Sequence, residues 1–191
     1  LVLSPGATPF LPPIAGIETA YTLRTVEDVD RIATAVPGKE KAVIIGGGFI
    51  GLEMAENLRH QGLAVTLVEA GSQIMGPLDV EMAAIVAKHM RDNGVDIRTN
   101  AQATEISETG VTLQNGQTLE ADLVIAAIGV RPASELAQAA GLEVSDRGGI
   151  IVDAQQRTSD PHIFALGDAA TKKDIHSGDN TLVPLAQTAN R

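Results

Sequence analysis

The chain has 191 residues, of which 44% are hydrophobic, and a formal net charge of −10. It is long enough for one large or two small domains, and its negative charge argues against a nucleic-acid partner and against an anionic membrane surface. No apolar run approaches the roughly 20 residues of a membrane span, and the absence of cysteine excludes disulfides, cysteine metal sites and thiol chemistry within this sequence. The four histidines lack metal-binding spacing, so we expect no metal site. Separately, we expect a cytoplasmic location, because the sequence has no signal peptide.

The first 38 residues predict an extended segment, a proline-containing connection and one helix. Leu1 to Ala7 is typical of the end of a strand, so we expect the chain to begin within a fold. Thr25 to Val36 predicts a helix, with Thr25 as its cap and Asp28 at the capping-box position. Pro37-Gly38 ends the helix and marks a domain boundary. The apolar face of this helix would consist of Val26, Val29, Ile32, Ala33 and Val36.

The next segment combines a short strand, a glycine-rich turn, a helix and a second strand. The apolar run Ala42 to Ile45 leads into Gly46-Gly47-Gly48-Phe49-Ile50-Gly51, and a helical pattern follows. A second apolar run, Ala64 to Val68, then stops at Glu69. This order predicts a βαβ unit that binds a dinucleotide. The alternative is a plain glycine turn without a ligand.

Each residue type in this unit has a physical reason. Gly46 allows the sharp turn, Gly48 lets the backbone approach a pyrophosphate, and Gly51 lets the helix pack close to the sheet. The free amides and the dipole at the start of the helix attract the phosphate charge. Glu69 lies 18 residues beyond Gly51, close to the position expected for the acid that binds the adenosine ribose.

The surroundings of Glu69 favour NAD over NADP. A carboxylate accepts hydrogen bonds from a ribose 2′-hydroxyl and repels a 2′-phosphate, whereas NADP sites usually provide an arginine. No lysine or arginine occurs between Arg59 and Lys88, and His60 is the one possible cation there. The alternative is that Glu69 is a solvated residue at a strand end.

The remaining sequence predicts a doubly wound, Rossmann-like α/β fold with a small antiparallel insertion. Asn115-Gly116 is a strong hairpin signal inside that insertion. Pro184 would begin a last helix that runs to Arg191. The other predicted elements are a helix over Asp79 to Asn93 and strands over Val95 to Arg98, Thr104 to Ser107, Val111 to Leu113, Thr118 to Leu119, Leu123 to Ile128, Ile150 to Val152 and Ile163 to Leu166.

Three separated motifs together resemble the pyridine-nucleotide-disulfide oxidoreductase superfamily. They are the βαβ unit, the segment Ala121 to Pro132 and the segment Thr158 to Ala169. Within that superfamily, Pro184-Leu185-Ala186 with Ala189-Asn190-Arg191 is similar to the branch of coenzyme A-disulfide reductases, persulfide reductases and NADH oxidases.

The resemblance implies an NAD-binding domain inserted into an FAD-binding domain. Residues 38–131 would be the NAD domain, and residues 1–37 and 141–191 would be parts of the FAD domain. The family also has an upstream half-domain, with the FAD pyrophosphate loop and usually a redox cysteine, and a C-terminal domain that makes a homodimer. Neither is in this sequence, so we expect the chain to be a fragment of such a protein.

The resemblance also assigns roles around the flavin. Asp168, after Gly167, matches the aspartate that binds the FAD ribityl chain, and its alternative is a residue in a turn or helix cap. Leu185 and Ala186 match the start of a helix that faces the flavin pyrimidine ring. Gly129 matches the glycine near the nicotinamide, and its alternative is a simple strand end.

Two residues near the glycine turn have open assignments. Phe49 matches an aromatic residue that covers the flavin until the nicotinamide displaces it, but it could equally be a core aromatic. Glu53 matches an acid near the nicotinamide and the flavin, or it is an acid favoured in a first helical turn. We expect three methionines in the core, namely Met54, Met82 and Met90.

Together these features predict a segment of a flavin-dependent NADH oxidoreductase. Hydride would pass from NADH to FAD, and the electrons would then reduce a disulfide, a persulfide or O₂. One alternative is an electron transferase that serves a ferredoxin or a rubredoxin. Another is a dinucleotide-binding module without catalysis, and the isolated segment could itself be inactive.

Overall fold

The computed structural model describes residues 1–174 and 176–185. The chain divides into a central unit, Pro9–Gly129, and a terminal unit formed by Leu1–Thr8 and Val130–Arg191. The helices are α1 (Val26–Ala35), α2 (Phe49–His60), α3 (Val80–Asp92) and α4 (Glu135–Ala139), with 3₁₀ turns at Ile17–Thr19 and Gly167–Ala169. The strands are β1 (Val2–Leu3), β2 (Ala7–Pro9), β3 (Lys41–Ile45), β4 (Ala64–Val68), β5 (Val95–Arg98), β6 (Ala103–Ser107), β7 (Gly110–Leu113), β8 (Thr118–Glu120), β9 (Leu123–Ala126), β10 (Val130–Pro132), β11 (Ile150–Ile151), β12 (Phe164–Ala165), β13 (Ala170–Lys173) and β14 (Asn180–Thr181).

A four-stranded parallel sheet forms the middle of the central unit, in the order β5-β4-β3-β9. Ile44 of β3 lies beside Leu67 of β4 and Ile125 of β9. Tyr21 bridges to Ile125 and extends the sheet past β9. Strands β3, β4 and β9 are mainly apolar, because both faces of the sheet are covered there, whereas the edge strand β5 alternates buried and exposed residues.

Helices cover one face of this sheet. Alternate strand residues such as Ala42, Ile44 and Leu67 point into a core that also contains Ile32 of α1. The rest of this core comes mainly from α2, α3 and the neighbouring strands: Met54, Ala55, Leu58, Leu63, Val65, Ile74, Ala87, Met90, Val95, Ile97, Leu123 and Ile125.

The antiparallel sheet β6-β7-β8 covers the opposite face. Val43, Ile45 and Val124 point into this second core, where Val111 and Leu113 of β7 meet them. The predicted α/β Rossmann-like fold with an antiparallel insertion is therefore confirmed, and the insertion supplies the layer on that face.

The predicted capping box of α1 is present. The Thr25 hydroxyl accepts a hydrogen bond from the Asp28 N–H at 3.3 Å, and the Asp28 carboxylate accepts one from the Thr25 N–H at 3.0 Å. The predicted apolar face is only partly buried, however. Ile32 is buried, whereas Val26 is 73% exposed and Val29 is 50% exposed. The helix therefore packs on the core through its C-terminal half.

Two further expectations need correction. Met54 and Met90 are buried as predicted, but Met82 is 54% exposed because it lies on the outer face of α3. The strand predicted over Leu123 to Ile128 ends at Ala126. Ala127 and Ile128 continue beyond the sheet and line the cleft described below.

Short strands with a small core of their own form the terminal unit. β1 pairs with β12 in parallel, β2 pairs with β10, and β13 lies between β11 and β14. No sequence pattern predicts α4, which has five residues. Pro184 and Leu185 are not helical, and the rest of the helix predicted from Pro184 lies outside the described residues.

The division into units differs from the boundary predicted at Pro37-Gly38. Residues 9–37 belong to the central unit. Tyr21 joins its sheet edge, and Ile32 packs into its core. The other boundary falls at Gly129, close to the predicted residue 131.

Candidate dinucleotide and flavin sites

Neighbouring backbone carbonyl groups require glycine at two positions of the turn after β3. Gly46 has φ +112°, and a Cβ there would lie 2.3 Å from the Ala127 carbonyl oxygen. A Cβ on Gly51 would lie 2.0 Å from the Gly46 carbonyl oxygen. Glycine is therefore required at both positions for the turn to pass β9 and for α2 to start beside it.

Gly48 differs from these two glycines. Its φ is −85°, which any residue adopts, and a Cβ there would meet nothing within 4 Å. No contact with the residues that the structure describes explains a glycine at this position. Open space above the backbone, at the start of a helix, is the feature that a pyrophosphate requires.

Helix α2 begins with unsatisfied backbone donors. Its first intrahelical bond runs from the Leu52 N–H to the Gly48 carbonyl, so the amides of Phe49, Ile50 and Gly51 have no partner within the helix. Gly48 has no side chain that could cap them. These amides and the helix dipole form a local positive end in a chain of net charge −10.

Glu69 is anchored, and it is not a solvated strand end. Its Oε2 accepts a hydrogen bond from the Gly47 N–H at 2.8 Å, and its Oε1 accepts one from the Gly71 N–H at 2.6 Å. A carboxylate has about four acceptor positions, so both oxygens can still accept bonds from vicinal hydroxyl groups. The two amides thus hold this carboxylate in place beside the glycine turn.

The glycine turn and Glu69 line the same cleft, which has a volume of about 530 Å³. Its lining includes Gly46, Gly47 and Gly48, Glu69 and Gly129. A smaller hollow of about 500 Å³ continues from Gly48 and Glu69 along residues 71–78. Among the described residues, no lysine or arginine lines the cleft or this hollow. These volumes suit a small-molecule cofactor.

Sequence reasoning missed two segments of the cleft. Pro12-Pro13-Ile14 and the residues from Ala101 to Thr104 line it together with the glycine turn. Neither segment belongs to a recognisable motif. The chain order of the βαβ unit gives no signal for them, because long-range folding brings them to the cleft.

Three residues next to the glycine turn lie outside the lining of this cleft. Phe49 is 54% exposed, so the alternative that it is a core aromatic is wrong. Ile50 packs against the helix-side core, which leaves its backbone amide as the group it can offer to a ligand. Glu53 is exposed, and the first turn of α2 holds no acidic residue, so the alternative that placed it there is also wrong.

Gly129 follows β9 in a conformation that favours glycine. Its φ is +112°, and a Cβ there would meet nothing within 4 Å. Its carbonyl accepts a hydrogen bond from the Phe10 N–H at 2.9 Å. Glycine is thus needed here for the backbone turn, and the space beside it is open to the cleft.

The predicted flavin residues of the terminal unit lie after β12. Gly167 has φ +77° and begins a 3₁₀ turn that contains the half-buried Asp168. Within the described part of the chain, the Asp168 carboxylate has no hydrogen-bond or ion-pair partner. Such a carboxylate suits a hydroxylated ligand. Leu185 is 43% exposed, and Ala186 lies outside the described residues.

Two kinds of feature are absent from the described residues, namely a metal-binding cluster and a membrane-spanning helix. No group of three or more His, Cys, Asp or Glu side chains there could hold a metal ion. No helix in residues 1–174 and 176–185 has the length and apolar character needed to cross a membrane.

The whole sequence, residues 1–191, matches the pattern of the family described as pyridine nucleotide-disulphide oxidoreductase. The chain belongs to this family. Its fold agrees with those of solved oxidoreductase structures whose sequence identity to it is 28–46%.

Named members of the family are similar over nearly the whole chain. The NADH oxidase of Methanocaldococcus jannaschii is 36% identical over 199 residues, which cover 100% of this chain and 44% of that protein. The structure of reduced CoADR-RHD, a CoA-disulfide reductase of Bacillus anthracis, is 46% identical with a TM-score of 0.94, covering 99% of this chain and 35% of that one.

Two further oxidoreductase structures bear on the coenzyme and the acceptor. A ferredoxin reductase of Rhodopseudomonas palustris is 36% identical, with a TM-score of 0.92 over 98% of this chain and 48% of that one. An engineered water-forming NADPH oxidase is a mutant of the Lactobacillus brevis NADH oxidase. It is 28% identical, with a TM-score of 0.90 over 98% of this chain and 43% of that one. The chain thus spans less than half the length of each relative named here.

Proposed function

We propose that this chain is the NAD-binding part, with adjoining FAD-binding elements, of a flavin-dependent NADH oxidoreductase. The central unit would bind NADH, and the terminal unit would contribute to an FAD site. We further propose that the complete protein is a cytoplasmic homodimer. The observation that carries the proposal is the pairing of the open Gly48 backbone with the anchored Glu69 carboxylate in one cleft.

The central unit provides the groups that a dinucleotide needs. The amides at the start of α2 would donate hydrogen bonds to the diphosphate, which would lie against the open Gly48 backbone. Glu69 would accept hydrogen bonds from the adenosine ribose while Gly47 and Gly71 hold it in position. Gly129, with no side chain, would leave room at the nicotinamide end of the cleft.

The terminal unit offers a partial flavin site. The Asp168 carboxylate would accept hydrogen bonds from the ribityl hydroxyls, because its oxygens have no partner among the described residues. Leu185 and Ala186 would contribute backbone groups beside the flavin. In the central unit, Phe49 and Glu53 are exposed, and the family resemblance gives each a role near the nicotinamide or the flavin. Bound together, the two cofactors supply hydride transfer from nicotinamide to flavin.

The engineered NADPH oxidase supports the choice of NAD. Its substitutions include glycine to alanine and, 18 positions later, aspartate to alanine followed directly by alanine to arginine. Gly51, Glu69 and Ala70 have the same spacing in this chain. An acid at this position therefore favours the unphosphorylated ribose, and an arginine favours the 2′-phosphate.

The double variant Glu69→Ala with Ala70→Arg tests this assignment. We expect NADH affinity to fall about 10-fold or more, since hydrogen bonds to a charged group are lost, and NADPH affinity to rise. Fluorescence titration with both coenzymes measures the change. Glu81→Ala, which removes an exposed acid on α3, is the matched control and leaves both affinities unchanged. An unaltered preference in the double variant would contradict the ribose role.

The acceptor of the electrons has two candidate classes. We favour a small acceptor, namely a disulfide, a persulfide or O₂, because the structure of the CoA-disulfide reductase shares the highest of the quoted identities, 46%. An electron transferase is the second candidate, since the ferredoxin reductase has a TM-score of 0.92. NADH consumption by the FAD-loaded protein with CoA disulfide, a persulfide, O₂ or a ferredoxin distinguishes them.

A further inference from the structure

The Pro12-Pro13-Ile14 segment forms a rigid turn in the cleft that holds the glycine turn. The Ile14 N–H donates a hydrogen bond to the Pro12 carbonyl at 2.8 Å, which closes a three-residue turn around Pro13. The proline rings fix two of the backbone φ angles. All three residues line the cleft, with Pro13 exposed and its two neighbours half-buried.

Backbone hydrogen bonds hold the turn at both ends. On one side the Phe10 N–H bonds to the Gly129 carbonyl at 2.9 Å, after β9. On the other side the Ile106 N–H of β6 bonds to the Ala15 carbonyl at 2.7 Å. A Cβ on Gly16 would lie 2.1 Å from the Ile106 carbonyl oxygen, so the chain passes tightly there. Hydrogen bonds on both sides therefore hold the turn between Gly129, after β9, and Ile106 of β6.

The chemistry of this turn complements that of the glycine turn. Pro12 and Pro13 have no backbone N–H, so they present hydrocarbon surface and cannot donate a hydrogen bond to a phosphate. Gly48, which immediately precedes the first helical residue of α2, lines the same cleft, so the turn shares this cleft with the start of the helix. Hydrocarbon surface excludes water, and a lower local dielectric strengthens the attraction between amides and a phosphate.

We infer that the Pro12–Ile14 turn is the apolar wall of the diphosphate site, covering the dinucleotide's phosphates against the amides of α2. This inference rests on the proposed function, because it requires a dinucleotide in the cleft. It adds a positioning element that precedes the glycine turn by more than 30 residues in the chain.

A carboxylate introduced into the wall tests the inference. Pro13→Asp would place a negative charge beside the diphosphate, and Pro13→Asn has nearly the same shape without the charge. We expect ADP-ribose to bind Pro13→Asp about tenfold more weakly than Pro13→Asn at low salt, and the difference to shrink at high salt. Isothermal titration calorimetry measures both affinities. Pro37→Asp, the same change at an exposed proline outside the cleft, should bind ADP-ribose like the wild type.

Adenosine, which has no phosphate, locates the effect. We expect its affinity, followed by NMR titration, to be the same in Pro13→Asp and Pro13→Asn, with thermal melts verifying that each variant is folded. Equal binding of ADP-ribose to the Asp and Asn variants would overturn the inference, and so would a loss of adenosine binding. A wild-type chain that binds no ADP-ribose would instead contradict the proposed function.

Discussion

At the scale of single residues, glycine occupies positions 46 and 48 of the turn for different physical reasons. Gly46 is needed by the chain itself, because its φ is positive and the Ala127 carbonyl occupies the position of a Cβ. Gly48 has neither constraint, and we propose that a glycine there leaves room for the ligand of the cleft. Substitution by alanine separates the two causes.

We expect Gly48→Ala to keep the free energy of unfolding within about 0.5 kcal/mol of the wild type. Its new methyl group would occupy the space proposed for the diphosphate, so NADH affinity should fall about tenfold or more. Gly46→Ala should destabilise the protein by roughly 1–3 kcal/mol through backbone strain and overlap with Ala127. Urea denaturation and NADH titration of both variants test this pair. Normal NADH binding by a folded Gly48→Ala variant would refute the ligand explanation.

At the scale of elements, side-chain oxygens fix the places where strands and helices begin. Asp122 precedes β9, and its Oδ2 accepts hydrogen bonds from the N–H groups of Glu40 and Lys41 at 3.1 and 3.0 Å. It therefore connects the starts of β3 and β9. Thr25 acts similarly at the start of α1.

The Asp122 connection predicts a pH dependence of stability. The backbone N–H of Glu40, followed by that of Lys41, lowers the pKa of Asp122 below its ordinary value. A lowered pKa in the folded state contributes stability above the ordinary pKa, and this contribution is lost as the pH falls through the folded-state value. We expect Asp122→Asn to be less stable than the wild type at about pH 7 and the gap to narrow at about pH 3. Urea denaturation at both pH values measures the difference in stability. Asp30→Asn, at an exposed position of α1, is the control. A gap that stays constant with pH would contradict this account.

The cap of α1 gives a second prediction for an element. Thr25→Ala removes the oxygen that accepts the Asp28 N–H and should lower the free energy of unfolding by about 1 kcal/mol. Thr25→Ser retains the cap and is the matched control. Thermal or urea denaturation compares them, and equal losses in both variants would show that the threonine methyl group, rather than the cap, is responsible.

At the scale of the whole molecule, the central unit is continuous in sequence, from Pro9 to Gly129. A polypeptide of residues 9–129 retains Tyr21 at the sheet edge and Ile32 in the core. A polypeptide of residues 38–129, which is the predicted NAD domain of residues 38–131 cut at the end of the central unit, lacks both and also lacks Pro12–Ile14. We expect the longer piece to unfold cooperatively and bind NADH, and the shorter one to lose stability and affinity. Circular dichroism melts with NADH titration decide this, and equal behaviour of the two pieces would contradict the assignment of residues 9–37.

The sequence by itself determined the local features of this protein. The period of the apolar residues predicted α2, α3 and the parallel strands, and short-range chemistry predicted the Thr25 cap and the glycine turn with Glu69 beyond it. These features depend on neighbours within a few residues or on one βαβ unit, so the pattern contains them. It could not show that Val26, Val29 and Met82 stay exposed, because a helical period does not say how much of a face finds a partner.

Tertiary structure alone decided which distant segments share the cleft. Pro12–Ile14 and Ala101–Thr104 reach the glycine turn through hydrogen bonds and packing between residues far apart in the chain. The same long-range contacts distinguish Gly46 from Gly48, since only the position of the Ala127 carbonyl shows which glycine the fold itself requires. The physical reason is that such contacts depend on the path of the whole chain, whereas a local pattern records only the preferences of each segment.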